Sequence, residues 1–499
     1  MPESDEHHVD ENVVDRHRPL VHFTADRGWI NDPNGPIVLD GRYHLYFQHN
    51  PNGPHWGDIS WGHAVSDDLV SWRELPVAIP AQADHLIFSG SAAVVGDGTV
   101  AAFYTGHRLH ADPALVRQDQ RIAISRDGGT TFEPVAWNPV IDLDLVDFRD
   151  PSVWWHALTA RWVMVTVLPH ERRVVVFRSS DLVTWEECSR FGPSGATDGI
   201  WECPALFEVP VVDGEGRRLD RRWVLKVDHN PGHVAGGSGG QYFVGDFDGG
   251  TFVPDDAATS SVTPNWIDWG ADFYAALPFA GETVSEVAGK AVSEVPGEVG
   301  RTWIAWMSNW DYAHDTPTTP WRGAMSIPRR VTLVERGGGL VLAQRPVVGR
   351  DGDVRDRHDL TLRPTGEPIP VPDVYRLDVD VELGGASRVA VRFGMGADAE
   401  VLVSYDRLAA TLTVDRSASG ERPNERFSTV HRAPLDVAGR LVLDVIVDRS
   451  SIEVFADDGT VVFTEVMYPP PGERTVTVEG ATGTARLLVT PLTTSAAPG

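Results

Sequence analysis

An all-β chain in two parts, a five-bladed β-propeller followed by a C-terminal β-sandwich, is predicted by three patterns in the sequence. A small or acidic residue leading into an apolar strand, a turn and a second apolar strand recurs five times, at a spacing of about 50 to 70 residues. A second repeat, a polar turn placed before an aromatic, runs in phase with the first. Beyond Val331 the texture changes, and from Tyr375 onward apolar and polar residues alternate strictly.

Residues 1–15 are acidic and polar and read as a disordered arm, with no apolar core of a secretory signal. Residues 16–335 carry the propeller repeats. These begin at Asp32-Pro33, Ser89-Gly90, Asp150-Pro151, Glu202-Cys203 and Asp272-Phe273. The in-phase turns are Ser66-Asp67-Asp68 before Trp72, Ser125-Arg126-Asp127 before Phe132, Ser179-Ser180-Asp181 before Trp185 and Asp246 to Gly250 before Phe252. Asp, Ser and Gly there supply the chemistry of outer hairpins. Residues 336–372, with Gly337-Gly338-Gly339 and a charged stretch, read as a linker. Residues 373–495 hold alternating segments separated by Gly, Asp and Pro, the spacing of an antiparallel sandwich, and the last of these is a single strand from Val476 to Thr490.

The 499 residues exceed what one hydrophobic core holds, which agrees with two domains. A net charge of −28 repels nucleic acid and anionic membrane and suits a neutral substrate. No run is long and apolar enough to span a membrane as a helix. Cys188 and Cys203 are too few for a disulfide framework or a zinc ribbon. The acids at Asp142, Asp144 and Asp147 lack the glycine and terminal Glu of a calcium loop and read as a solvated loop. His7-His8 belongs to the arm. No metal and no cofactor is expected, the oligomeric state is open, and the start of the chain points to a cytoplasmic protein, with secretion as the alternative.

In a propeller the first strand of every blade lines the central channel, so equivalent repeat positions converge. Asp32, Asp150 and Glu202 occupy that position in repeats one, three and four. An acid before proline is commonly a turn former, but three at equivalent positions mark a site. Clustered carboxylates raise one another's pKa and divide into acid and base. That division serves glycoside hydrolysis, with the pair about 5 Å apart for retention and wider for inversion.

The motifs WINDPNG (29–35), YFQHNP (46–51), WGHAVSDDLVSW (61–72), FSGS (88–91), FRDP (148–151), WECP (201–204), GADFYA (270–275), the segment 308–329 and DRSSIEVFADDG (448–459) resemble glycoside hydrolase family 32, the invertase, levanase and exo-inulinase group. The resemblance spans both domains. It implies a retaining β-fructofuranosidase that removes terminal fructosyl residues from sucrose, fructo-oligosaccharides or fructans of the inulin and levan type. Asp32 is then the nucleophile, Glu202 the general acid and base, and Asp150 the residue that holds fructose hydroxyls. Arg149 stands beside Asp150. Asn31, Gln48, Trp56, Phe88, Ser89, Cys203, Asp272, Tyr274 and Trp306 are the expected substrate-binding residues, Cys203 as a polarisable neighbour and Tyr274 with Trp306 as an apolar wall. The segment 308–329 looks more like that of levanases and exo-inulinases than of sucrose-6-phosphate hydrolases. Three alternatives are a fructosyltransferase using the same intermediate, a non-catalytic carbohydrate-binding propeller, and an inverting arabinanase-like enzyme, which would lack WINDPNG and WECP.

Overall fold

The computed structural model describes residues 15–96, 98–255, 264–282, 299–348, 358–362 and 366–493, so all of the expected arm 1–15 except Asp15, which starts a 3-10 turn, lies outside them, as does His7-His8. Each early repeat folds as an antiparallel meander. The first runs through Gly28–Leu39, Arg42–Asn50, Ser60–Ser66 and Trp72–Ile79. The second begins at His85–Gly96, the third at Arg149–His156 and the fourth at Ile200–Val212. A fifth meander, Tyr274–Pro278, Arg301–Met307, Arg329–Arg336 and Gly339–Pro346, is fused to the fourth where Val211 and Val212 pair in parallel with Leu333 and Val334. The chain's return, Trp321–Arg322, pairs in parallel with Gly28 and Trp29 and ties the fifth meander to the first.

The second repeat has a shared physical basis. Asp68 accepts from the backbone N–H groups of Val70 and Ser71, while Trp72 donates its indole N–H to the Leu69 carbonyl at 3.1 Å. Asp181 accepts likewise from Val183 and Thr184, and Trp185 donates to Leu182 at 3.2 Å. Leu69 and Leu182 share the left-handed conformation, at φ 67° and φ 65°. A carboxylate that caps its own turn fixes the hairpin and drops the aromatic onto it.

Two boundaries differ from the sequence expectation. Gly337 and Gly338 are not the start of a linker but a two-residue hairpin turn, at φ 61° and φ 84°, joining strands paired from Arg329–Pro346 to Arg336–Gly339. Both positions need positive φ, which glycine adopts without cost. The first unit's sheet therefore runs to Pro346, past 335. The second unit begins earlier than 373, because His358–Leu362 pairs with Ala485–Pro491 and Ile369–Val371 pairs with Arg474–Glu479.

The second unit is two six-stranded sheets packed over one apolar core, with Leu377, Val379, Val391, Phe393, Val445, Val454 and Phe463 all buried. The expected strand from Val476 to Thr490 is two strands in different sheets, turned at Gly480 with φ 81°. The two units are joined by backbone bonds from Trp269 N to the Val462 carbonyl at 2.7 Å and from Asp272 N to the Thr464 carbonyl at 3.1 Å. Buried charges complete the junction. Arg329 donates to Asp268 and Glu453, and His22 bridges Asp448 and Glu453 at 2.8 and 3.0 Å. Among the described residues no helix is long and apolar enough to cross a membrane.

Candidate active site

The first strand of every meander in the N-terminal unit carries the same irregularity. Its register slips between Ile30 and Pro33, Phe88 and Gly90, Arg149 and Ser152, Glu202 and Ala205, and Tyr274 and Leu277. A bulge bends the strand and re-aims its side chains. Asp150 at φ 63°, Cys203 at φ 47° and Ala275 at φ 57° take the left-handed conformation there, which strains a residue bearing a Cβ. The result is a narrow cavity lined by Asp32, Ser89, Asp150, Cys203 and Ala275, one from each repeat.

Asp32 is buried and heavily oriented. Ser89 Oγ donates to its Oδ2 at 2.6 Å, Asn31 Nδ2 donates to its Oδ1 at 3.0 Å, and the Cys203 thiol donates to Oδ2 at 3.5 Å. Asn31 is itself held by the Trp29 indole N–H at 2.7 Å. Burial pushes the Cys203 thiol well above its ordinary range, and Asp32 and Asp150 add to the effect, so Cys203 stays a neutral donor.

Glu202 sits on the neighbouring wall. Tyr274 donates its hydroxyl to Glu202 Oε2 at 2.5 Å, and Arg149 donates to Oε1 at 3.2 Å. Arg149 is anchored from behind by Asp147 at 2.7 Å and Gln118 at 3.3 Å. Burial and the Glu202 charge hold the Tyr274 phenol well above its usual value, which keeps it a donor.

Asp150 accepts from the Cys203 backbone N–H at 2.8 Å and its own N–H donates to Thr105 Oγ1 at 2.9 Å. Burial pushes its carboxyl up to about 7; Arg149 opposes this, and Glu202 and Asp32 reinforce it. Near neutrality Asp150 is therefore available both to accept from and to donate to hydroxyl groups.

An aromatic wall flanks these acids. Trp29, Cys203, Tyr274 and Trp306 form one buried cluster with Phe88 and Trp310 packed against it. Trp56 is 41% exposed and meets Phe88 edge-on at 5.9 Å, so it marks the open rim. Gln48 is buried and its amide donates to the Ile87 carbonyl at 2.9 Å, holding the strand that presents Phe88 and Ser89.

Asp272 is the correction. Its carboxylate does not face the cavity; it pairs with Arg416 Nη1 at 2.5 Å and accepts from the Tyr312 hydroxyl at 2.6 Å, inside the junction with the sandwich. It precedes the strand Tyr274–Pro278, and its backbone is bonded to the sandwich edge, so the bulge that aims Tyr274 inward does not act on it. The acids at Asp142 and Asp144 are exposed and Asp147 is half-buried, as a solvated segment requires, but not all of that segment is loop. Each meets an arginine, Arg108, Arg117 and Arg149 respectively, and the first two lie on the strand Ile141–Leu145.

Sequence reasoning missed Lys226 and Asp228, a fully buried ion pair behind Glu202. The signal was present as two charges two apart at the apolar, buried end of the strand Arg218–Asn230, hence on one face.

Comparison with known proteins places the chain in a family. Residues 22–346 match the Glycosyl hydrolases family 32 N-terminal domain and residues 352–494 its C-terminal counterpart. The chain is 39% identical to a levanase of Bacillus subtilis, covering 94% of this chain and 68% of the relative. It is 35% identical to an extracellular exo-inulinase of Aspergillus awamori, covering 92% of this chain and 90% of that one. The crystal structure of the Aspergillus awamori exo-inulinase superposes with a TM-score of 0.85 at 33% identity, over 96% of this chain and 98% of that chain. A β-fructofuranosidase of Schwanniomyces occidentalis complexed with fructosyl-erythritol superposes at 0.84 with 30% identity, over 97% and 100%. Both domains, matched in order along nearly the whole chain, show that this protein belongs to glycoside hydrolase family 32 and is a glycoside hydrolase built as a β-propeller followed by a β-sandwich.

Proposed function

We propose that this chain is a retaining, exo-acting β-fructofuranosidase built on a five-bladed propeller, with its domain boundary after Pro346, that hydrolyses terminal fructosyl residues of sucrose, fructo-oligosaccharides or fructans. The observation that carries the reading is Asp32 on the cavity, its two oxygens oriented by Ser89, Asn31 and Cys203, with Glu202 next to Cys203 in the chain and held by Tyr274 and Arg149. Relatives named levanase and exo-inulinase, and a β-fructofuranosidase bound to fructosyl-erythritol, support the substrate class.

In the first step an Asp32 oxygen attacks the anomeric carbon of the fructosyl unit as Glu202 gives its proton to the departing glycosidic oxygen. In the second, Glu202 takes a proton from water, whose oxygen displaces Asp32 and restores the free carboxylate. Asp150, beside Arg149, holds fructose hydroxyls and steadies the oxocarbenium-like transition state of each step. Ser89 and Asn31 keep the nucleophile aimed, so little reorganisation accompanies attack. Relatives include an exo-inulinase named extracellular, and fractionation of cells and medium decides between a cytoplasmic and a secreted protein.

The experiment is replacement of Asp32 by Ala, followed by chromatography of sucrose, kestose, inulin and levan digests. Loss of free fructose from all four with the thermal transition retained supports the assignment, and substantial residual release overturns it. Trisaccharide dominating over free fructose at high sucrose in the unmodified protein replaces hydrolysis with transfer.

A further inference from the structure

Lys226 and Asp228 lie on the strand Arg218–Asn230 with side chains 0% and 2% exposed, and their carboxylate and ammonium are in direct contact. Glu202 and Asp228 are direct partners across the antiparallel ladder. Such partners stand on one face with Cβ atoms about 5 Å apart. On its other side Asp228 faces Gly240, where a Cβ would come within 2.3 Å of Asp228 Oδ1, so bare glycine makes room for the carboxylate.

A buried ion pair costs more to desolvate than it returns unless its partners use it. Replacing it by apolar groups would be easier on stability. We propose that Lys226–Asp228 is a positioning pair for the acid/base of this enzyme: Asp228 confines Glu202 from across the ladder and presents negative charge to the site, and Lys226 cancels that charge one step further from the cavity. The inference rests on the assignment of Glu202 as acid and base.

The groups around the pair are charged or polarisable on three sides. Asp32 comes from the first meander, Glu202 and Cys203 from the adjacent strand and Tyr274 from the fifth meander, and each interacts with Asp228. From the strand Gly239–Phe247 Gly240 faces the carboxylate. Burial pushes the Asp228 carboxyl up; Lys226, in direct contact, opposes this, and Asp32 and Glu202 reinforce it. The pair therefore belongs to the same electrostatic set as the catalytic acids.

The two charges have opposite signs, which separates this role from plain support of the fold. Asp228→Asn leaves Lys226 as an uncompensated cation beneath the acids, and both limbs of the kcat/KM profile for sucrose move down by about one pH unit. Lys226→Met leaves Asp228 without its cation, so that carboxyl gains charge only as pH rises, and the alkaline limb moves up, opposite to its movement in Asp228→Asn. The double variant, a neutral pair of similar shape, returns the limbs to within a few tenths of a unit and restores most of kcat. KM changes less than kcat in the single variants. Limbs that stay in place, or that move the same way in both, overturn the inference. Should Asp228→Asn not fold, Lys226→Met against the double variant makes the same comparison. Glu202→Gln, assayed alongside, separates the two failures: substantial turnover in that variant sinks the acid/base assignment itself, whatever residues 226 and 228 do.

Discussion

Tyr274 donates its hydroxyl to Glu202 Oε2 at 2.5 Å, from the bulged start of the fifth meander to that of the fourth. A bond to a charged acceptor is worth about 1.5–3 kcal/mol. Because Tyr274 is 1% exposed and its ring packs edge-on against Trp306, Tyr274→Phe keeps the packing and loses only the bond. Its kcat on sucrose falls about 10- to 100-fold, with the thermal transition within a few degrees. Steady-state kinetics beside a melting curve check both halves.

Asp150 stabilises function at the expense of the fold. Its carboxyl rises from 3.8 to about 7 on folding, chiefly through burial. Protonated Asp150 is favoured in the folded state, so its contribution to stability is fully present below pH 3.8 and is lost as pH rises through about 7. Asp150→Asn removes that loss and tolerates the left-handed φ of 63°. The variant melts higher than the parent at pH 8, equals it near pH 4, and loses most of its turnover.

The three acids were legible in sequence because repeat phase puts equivalent positions on one channel; Asp32 and Asp150 line the cavity, and Glu202 precedes Cys203, which lines it too. What set the details was not local. The same bulge recurs in all five first strands, yet only Asp150, Cys203 and Ala275 mark it with positive φ, and none of the three is glycine. Asp272 reads as a site acid because it sits in GADFYA, two residues from Tyr274. Its partner Arg416 lies 144 residues later in the sandwich, beyond what any motif spacing reports. Lys226 and Asp228 were hidden because a charged pair on an apolar strand looks like surface until the next meander covers it.

Asp272 and Arg416 therefore belong to stability. Both side chains are 0% exposed, and breaking a buried pair costs about 3–5 kcal/mol. Arg416→Met lowers the melting temperature by several degrees while KM for sucrose stays within about twofold of the parent. A large KM change would return Asp272 to the substrate site.

His22 gives the junction a pH dependence. Burial alone would lower its pKa, but hydrogen bonds to Asp448 and Glu453 win and raise it from 6.5 to about 9. A raised folded-state value means stabilisation that is full below pH 6.5 and lost as pH climbs through about 9. The melting temperature of the parent falls across that window, and His22→Gln flattens the slope and melts lower at pH 6.

The nucleophilic role of Asp32 is tested most directly by trapping its adduct. In Glu202→Ala, β-fructofuranosyl fluoride needs no acid for departure, whereas hydrolysis of the covalent intermediate lacks its base. A rapid acid quench, proteolysis and peptide mass spectrometry should find one anhydrofructose unit on the peptide carrying Asp32, with a burst of fluoride equal to the enzyme present. A label on another carboxylate, or fluoride release with no labelled peptide, would contradict the double displacement proposed for this chain.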